Sequence, residues 1–221
     1  MEEKKSRKAL NYIVGIVVIA LVIIGLVSVI SFLAGKVKNA TDDSAKMREY
    51  ESFIAPVIMN DPDTFDDVSK ANQSQLIAIS IWSILDDNLD PDKYEYSGDG
   101  MLLEQKDVEE RFASLFGNDI KITHTTADGG GIEFKYSEKK HCYIIPITGI
   151  TPIYTPRVIE ANEKSNSVIL TVGYLAGEDW TQDESGNIVA PEPAKYMRVT
   201  LRKNNDGSYY VSAIQQTDIN N

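Results

Sequence analysis

The hydrophobic positions fall into three textures along the chain. The first is a continuous run, Ile13 to Ala34, reading IVGIVVIALVIIGLVSVISFLA: 22 residues with no charge and two serines as its polar groups. A helix of this length spans about 33 Å, enough for a hydrocarbon core of roughly 30 Å. A backbone in lipid must satisfy its own hydrogen bonds, so a helix is the expected form. Tyr12 stands at one edge, where an amphipathic ring prefers the interface. A cleaved signal peptide is the competing reading, but its apolar region covers only about 7–15 residues. Val29 and Ser31 offer a cleavage site without the A-x-A pattern, and no cysteine lies near enough for lipoprotein processing. A buried helix of a soluble protein would show a polar face, and this run has none.

The second texture is helical. Met47, Tyr50, Ile54, Val57 and Ile58 follow helical spacing between Asp43 and Ile58. Pro56 is expected to end or bend this helix near Ala55, and NDPDTFDD reads as a turn. A second helix is predicted over about Lys70 to Asn88, apolar nearly all round in its middle and therefore deeply buried. Ile77, Ile81, Ile84 and Leu85 mark one of its faces, and DDNLDPD closes it. A third, short helix carries Val108, Phe112, Leu115 and Phe116 at i, i+4, i+7 and i+8. Asp107 is expected to cap it, with Glu110 at capping-box spacing and Gly117 in the left-handed position after its end.

After Gly117 the period shortens to that of strands. Gly131–Tyr136 alternates around Ile132, Phe134 and Tyr136, and Cys142–Ile147 is a short apolar run. Ile153–Ala161, Ser167–Gly177, Tyr196–Lys203 and Ser208–Gln216 complete the predicted set. Asn205-Asp206-Gly207 reads as a tight hairpin turn. The polar stretch from Glu178 to Pro193 reads as an exposed loop joining two long antiparallel strands. Helices followed by strands predict an α+β fold, an N-terminal transmembrane helix and then about three helices packed on a curved antiparallel sheet. The domain reading is a short basic cytoplasmic tail over 1–12, the transmembrane helix over 13–34, a linker over 35–42 and an extracytoplasmic α+β domain over 43–221.

This order of elements, with SVILTVGYLAGEDW and then AKYMRVTLRKNNDGSYYVSAIQQ as its strand texture, resembles the NTF2-like (cystatin-like) group between about Asp43 and Gln216. A membrane anchor followed by such a domain is also similar to the VirB8/TcpC-type subunits of bacterial conjugation and secretion machines. The resemblance implies helices seated in the concavity of a curved sheet. One departure is that no strand pair is recognisable between the second and third helices. The group includes enzymes, ligand binders and scaffolds, so the fold does not carry a function with it.

Charge then narrows the classes. The chain of 221 residues has 22 Lys and Arg against 33 Asp and Glu, a net −11. That balance argues against a nucleic-acid binder working by phosphate neutralisation. Setting aside four basic and two acidic residues of the tail leaves 18 against 31, about −13 for the part beyond the anchor. Such a domain does not cling to an anionic membrane surface. Lys4, Lys5, Arg7 and Lys8 adjoin the span on one side, while Lys36, Lys38, Lys46 and Arg48 lie on the other. The denser first group favours an inside N-terminus and an outside domain.

Each candidate for chemistry has a plain structural alternative. One cysteine excludes an intramolecular disulfide framework. His141 and Cys142 are adjacent, so on a strand they face opposite ways and do not form a dyad. His124 remains as a base that the fold would have to bring to Cys142. Asp86, Asn88 and Asp90 match the first ligand spacings of a calcium loop, but Pro91 and Ser97 stand at its two diagnostic positions. They are the metal candidates beside the default of a helix end and turn. Asp128-Gly129-Gly130-Gly131 lacks a phosphate-loop pattern and reads as a flexible turn. The neighbouring acids Asp66 and Asp67, and Glu109 and Glu110, read as solvated. The sequons Asn39-Ala-Thr41 and Asn72-Gln-Ser74 matter only in a eukaryotic secretory pathway, and a bacterial source is expected here. Among 11 tyrosines, Tyr143, Tyr154, Tyr174 and Tyr196 are the candidates for an aromatic ligand-binding face.

The sequence therefore predicts a single-pass membrane protein without catalysis, displaying an acidic domain for protein–protein interaction or envelope assembly. Its expected partners are the lipid bilayer through Ile13 to Ala34 and a protein, not nucleic acid, and no cofactor is expected. The alternative is a ligand-binding domain, which requires a pocket of at least ~300 Å³ with converging polar groups. A hydrolase would require a titratable cluster in a cleft.

Overall fold

A computed structural model describes residues 44–86, 90, 93–146 and 153–218. The chain divides into two units, Met1–Arg48 and Glu49–Asn221. The predicted span over 13–34 lies outside the described residues. Among the described residues, no helix is long and apolar enough to cross a membrane.

The described residues form an α+β fold. Helix α1 runs over 44–59, α2 over Gln73–Asp86 and α3 over Gln105–Phe116. Strands β1 (Glu95–Ser97) and β2 (Gly100–Glu104) lie between α2 and α3. Strands β3 (Ala127–Gly129), β4 (Ile132–Ser137), β5 (Cys142–Ile145), β6 (Tyr154–Lys164) and β7 (Ser167–Ala176) follow α3. A small ribbon, β8 (Thr181–Gln182) and β9 (Ile188–Val189), precedes β10 (Lys195–Lys203) and β11 (Tyr209–Gln216). The long strands do not form one sheet. One antiparallel sheet has the order β1-β2-β5-β4-β3, a second has β11-β10-β7-β6, and β8 pairs with β9 alone.

Four expectations about the helices are corrected. Helix α1 passes through Pro56 and continues to residue 59. Proline forfeits only one helical bond here, and the last turn buries Val57 and Ile58 completely. Asn60 Nδ2 then donates to the Pro56 carbonyl at 2.8 Å and closes the end. Helix α2 starts at Gln73, not near Lys70, because Val68–Lys70 is a separate 3-10 turn capped by Asp67. Glu104, not Asp107, is the N-cap of α3, and its side chain makes no capping bond. Asp107 lies in the first turn instead and accepts from Lys93 and Tyr94. Gly117 has φ +94° and ψ 156°, outside the left-handed helical region, and its N–H reaches the Ala113 carbonyl at 2.9 Å.

The β1–β2 hairpin corrects a further expectation, that helices precede every strand. Its strands are three and five residues long and lack a clear two-residue alternation. They become strands by pairing: Leu103 opposes Tyr143 and Met101 opposes Ile145 across β2 and β5.

Helix α2 occupies the middle of the fold. Leu76 through Ile84 is buried without interruption, which explains its lack of a polar face. It packs on α3 and β3, while α3 touches both β2 and β11 and so joins the two sheets. Trp82 anchors this centre. Its indole N–H donates to the Gly129 carbonyl at 3.1 Å, and its ring meets Phe134 edge-on at 5.0 Å. Gly129 is required by this approach, since a Cβ there would lie 2.6 Å from Ala78 Cβ. The glycine run read as a turn is one: Gly130 and Gly131, at φ +63° and +75°, are exposed and link β3 to β4, while Gly129 before them is closely packed.

Both edges of the second sheet are managed. On β6, which carries Pro156, the Val158 N–H donates to Glu51 of α1 at 2.8 Å. On β11, Ile214 exchanges two 2.8 Å backbone hydrogen bonds with Phe65. Two bulges bend this sheet: Ile159 is the extra residue in β6, and Ser212 in β11. The Ser212 hydroxyl donates to the Thr200 carbonyl at 3.0 Å, which satisfies a side chain that the bulge buries.

Candidate functional site

The four tyrosines proposed as a pocket lining do not share one face. Tyr143 lies on β5 in the first sheet, whereas Tyr154, Tyr174 and Tyr196 lie on β6, β7 and β10 of the second. Tyr143 and Tyr174 are 0% and 1% exposed. These two fill core, while Tyr154 and Tyr196 are half-buried.

Tyr154 and Tyr174 do come together, edge-on at 5.4 Å. Lys195 Nζ sits 4.9 Å from each ring centroid. It also donates to both carboxylate oxygens of Asp61, at 2.6 and 2.7 Å. The arrangement has the chemistry of a cation-binding aromatic cage, but the chain's own lysine fills it. Burial raises the Tyr174 hydroxyl above its ordinary pKa, and the Asp61 carboxylate and Tyr154 add to that. Tyr196 is half-buried and, next to Lys195 on β10, faces the other side of the sheet, with its ring near Gly173.

Around Tyr143 the fold assembles a second cluster. Its hydroxyl and His124 Nδ1 lie 2.9 Å apart, and His124 Nε2 lies 2.8 Å from Glu109 Oε1. A carboxylate only accepts, so Nε2 donates to it; in the neutral ring Nδ1 then accepts from the tyrosine. Tyr136 stacks on the imidazole at 5.1 Å and donates to Gln105 Oε1 at 2.6 Å. The order carboxylate, imidazole, hydroxyl is that of an activated nucleophile. Here the hydroxyl is shut in the core, and burial, with Tyr136 and Glu109, raises its pKa. A group that is both inaccessible and hard to deprotonate is a structural member of the core. Glu109 is exposed, as its reading as a solvated acid expects, and it still pairs with His124. Fifteen residues separate Glu109 from His124, and only the turn of the chain after α3 brings them together, so no local spacing announced it.

His124 does not meet Cys142. The imidazole belongs to the Tyr143 face of β5, and strand alternation turns Cys142 the other way. Cys142 is a buried free thiol whose pKa burial raises against the opposing pull of Lys140. His141, at φ +51°, is the exposed end of the β4–β5 turn.

Of the metal candidates, Asp86 ends α2 and Asp90 is described, while Asn88 lies outside the described residues. Among the described residues, no group of three or more His, Cys, Asp or Glu side chains is placed to hold a metal ion. A cleft of about 310 Å³ opens where the α2 N-terminus meets the β3–β4 corner, with Asn60, Asn72, Gln75 and Asp128 among its walls. Its donors and acceptors come from three separate segments, which sequence reading did not combine.

No protein-family model matches the chain, and neither the curated proteins nor the solved structures gave a match.

Proposed function

We propose that this chain is a single-pass membrane protein whose acidic α+β domain serves protein–protein assembly outside the cytoplasm. The uncharged run from Ile13 to Ala34 supports the anchor. One observation favours assembly over ligand binding: of the four tyrosines suited to line a pocket, Tyr143 and Tyr174 are closed off in the core, and the Tyr154 cage is filled by Lys195. What remains for function is the outer surface, and anchoring raises effective concentration so that a modest interface suffices. The β1–β2 hairpin between α2 and α3 supplies the strand pair missing from the NTF2-like comparison and supports that resemblance. The division into two sheets counts against one curved sheet.

The full chain is to be expressed with a C-terminal tag in a bacterial host. The reading expects retention in the membrane after alkaline carbonate, digestion of the domain by protease added to spheroplasts, and cross-linking of the domain to a further envelope protein or a second copy. Release by carbonate, or a protease-protected domain, overturns it.

The cleft of about 310 Å³ favours a second reading, a small polar ligand held between Asn60 and Asp128. A screen of polar metabolites by thermal shift tests it, with Asp128→Asn as the variant expected to abolish any stabilisation found.

A further inference from the structure

The β8–β9 ribbon has no part in the core. Every residue over 178–189 is exposed. Yet the ribbon is built. Asp183 Oδ1 accepts from the Ser185 and Asn187 N–H groups at 2.9 and 2.8 Å, and its Oδ2 from Asn187 Nδ2 at 3.0 Å. Gln182 Nε2 donates to the Gly186 carbonyl at 2.8 Å. At the base, the Ala194 N–H donates to the Tyr174 carbonyl at 2.8 Å, and Pro193 packs against Gly173. The ribbon is therefore held in one shape by its own polar groups, which lowers the ordering cost of binding.

Its surface is apolar where a solvent-facing turn should be polar. Ile188 is 75% exposed, Val189 43% and Trp180 38%. Gln182 faces Ile188 across the pair, and Trp180 directly precedes β8. Exposed tryptophan and isoleucine on one small ribbon are typical of an interface anchor. Around them, Glu178, Asp179, Asp183, Glu184 and Glu192 carry negative charge, and no Lys or Arg occurs over 178–194. Among the described residues, strands β8 and β9 pair only with each other, so each also offers an outer backbone edge.

Resting on the assembly reading above, we infer that this ribbon is the docking element for an extended, basic protein segment with interleaved apolar residues. Trp180, Ile188 and Val189 take the apolar side chains, and the five carboxylates select Lys and Arg. Anionic lipid is disfavoured by the same charges, since both surfaces are negative.

Trp180 is the built-in reporter, because the only other tryptophan, Trp82, is buried. The full chain in non-ionic detergent is titrated with a twelve-residue peptide alternating Lys and Val, with its Glu–Val counterpart, and with phosphatidylglycerol vesicles. The Lys–Val peptide is expected to give a saturable blue shift that weakens with salt. Ile188→Ser should reduce affinity about tenfold. Glu178→Gln with Glu184→Gln should flatten the salt dependence. All these positions are exposed, so folding is preserved. An equal response to both peptides, no response, or a shift with vesicles alone overturns the inference. Failure here leaves membrane retention and envelope cross-linking intact, whereas failure of the anchor reading would appear in fractionation and leave the Trp180 titration unaffected.

Discussion

Lys195 and Asp61 lie 134 residues apart in the chain and form a two-pronged ion pair, with Nζ 2.6 and 2.7 Å from the two carboxylate oxygens. The pair ties the start of β10 to the segment after α1. Asp61 holds φ +44°, a conformation that Asp and Asn tolerate better than most residues. Asp61→Asn therefore removes the charge while keeping the backbone, and Lys195→Met keeps the stem over Tyr154 and Tyr174. Both side chains are about a third exposed, so solvent screening limits the energy. Each variant is expected to lose about 1 kcal/mol, and a double-mutant cycle by urea denaturation should show coupling of about 0.5–1 kcal/mol that falls with salt. Strictly additive losses would contradict the pairing.

The Gly129 position sets how closely the β3–β4 corner approaches α2. A methyl group there would lie 2.6 Å from Ala78 Cβ, and neither backbone can yield freely. Gly129→Ala should cost about 1–3 kcal/mol through overpacking. Ala78→Gly removes the clashing carbon, so the double variant should be more stable than the sum of the single losses predicts. Thermal unfolding of the four proteins measures this.

Asp107 gives the domain an acid-sensitive contact. Burial alone would raise its pKa, but hydrogen bonds from Lys93 at 2.9 Å and Tyr94 at 2.7 Å outweigh that and hold it below the ordinary 3.8. A carboxylate with a depressed folded pKa stabilises fully above its unfolded value, and the contribution disappears as pH falls through the folded one. At pH 7, Asp107→Asn is expected to be less stable by about 0.5–1 kcal/mol. The difference should shrink as pH falls below 3.8 and vanish once pH has passed below the depressed pKa of the native carboxyl. A difference independent of pH would remove the electrostatic account.

Cys142 is buried and its thiol is driven toward the protonated form. It should resist a thiol reagent at neutral pH in the native protein and react stoichiometrically once denaturant is added. The folded chain should also run as a monomer on a non-reducing gel. Rapid native labelling would mean that β5 opens readily.

Local pattern was enough for the elements whose side chains report their surroundings directly. The all-round apolar middle of α2, the Val108–Phe112–Leu115–Phe116 stripe of α3 and the alternation of β7 and β10 each encode burial in sequence order, so these elements and the α+β class were legible. So was the exposed character of the stretch between β7 and β10. The hairpin β1–β2 was not, because strands of three and five residues owe their form to partners such as Tyr143 and Ile145 far along the chain. Pro56 misled for a similar reason: one lost hydrogen bond is a local penalty, and burial of Val57 and Ile58 is a tertiary gain. The tyrosines could be placed on strands but not on a common face, since two-residue alternation fixes only the sides of one strand. Which sheet a strand joins, and whether a helix already fills the space above it, depends on contacts between residues more than a hundred positions apart. The Lys195–Asp61 pair and the Tyr50–Glu163 hydrogen bond, across 134 and 113 residues, are of that kind. Sequence by itself determined hydrophobic periodicity, charge and the apolar run over 13–34, because those are properties of neighbours. Tertiary structure decided which polar groups meet, because long-range packing selects partners that chain order leaves open.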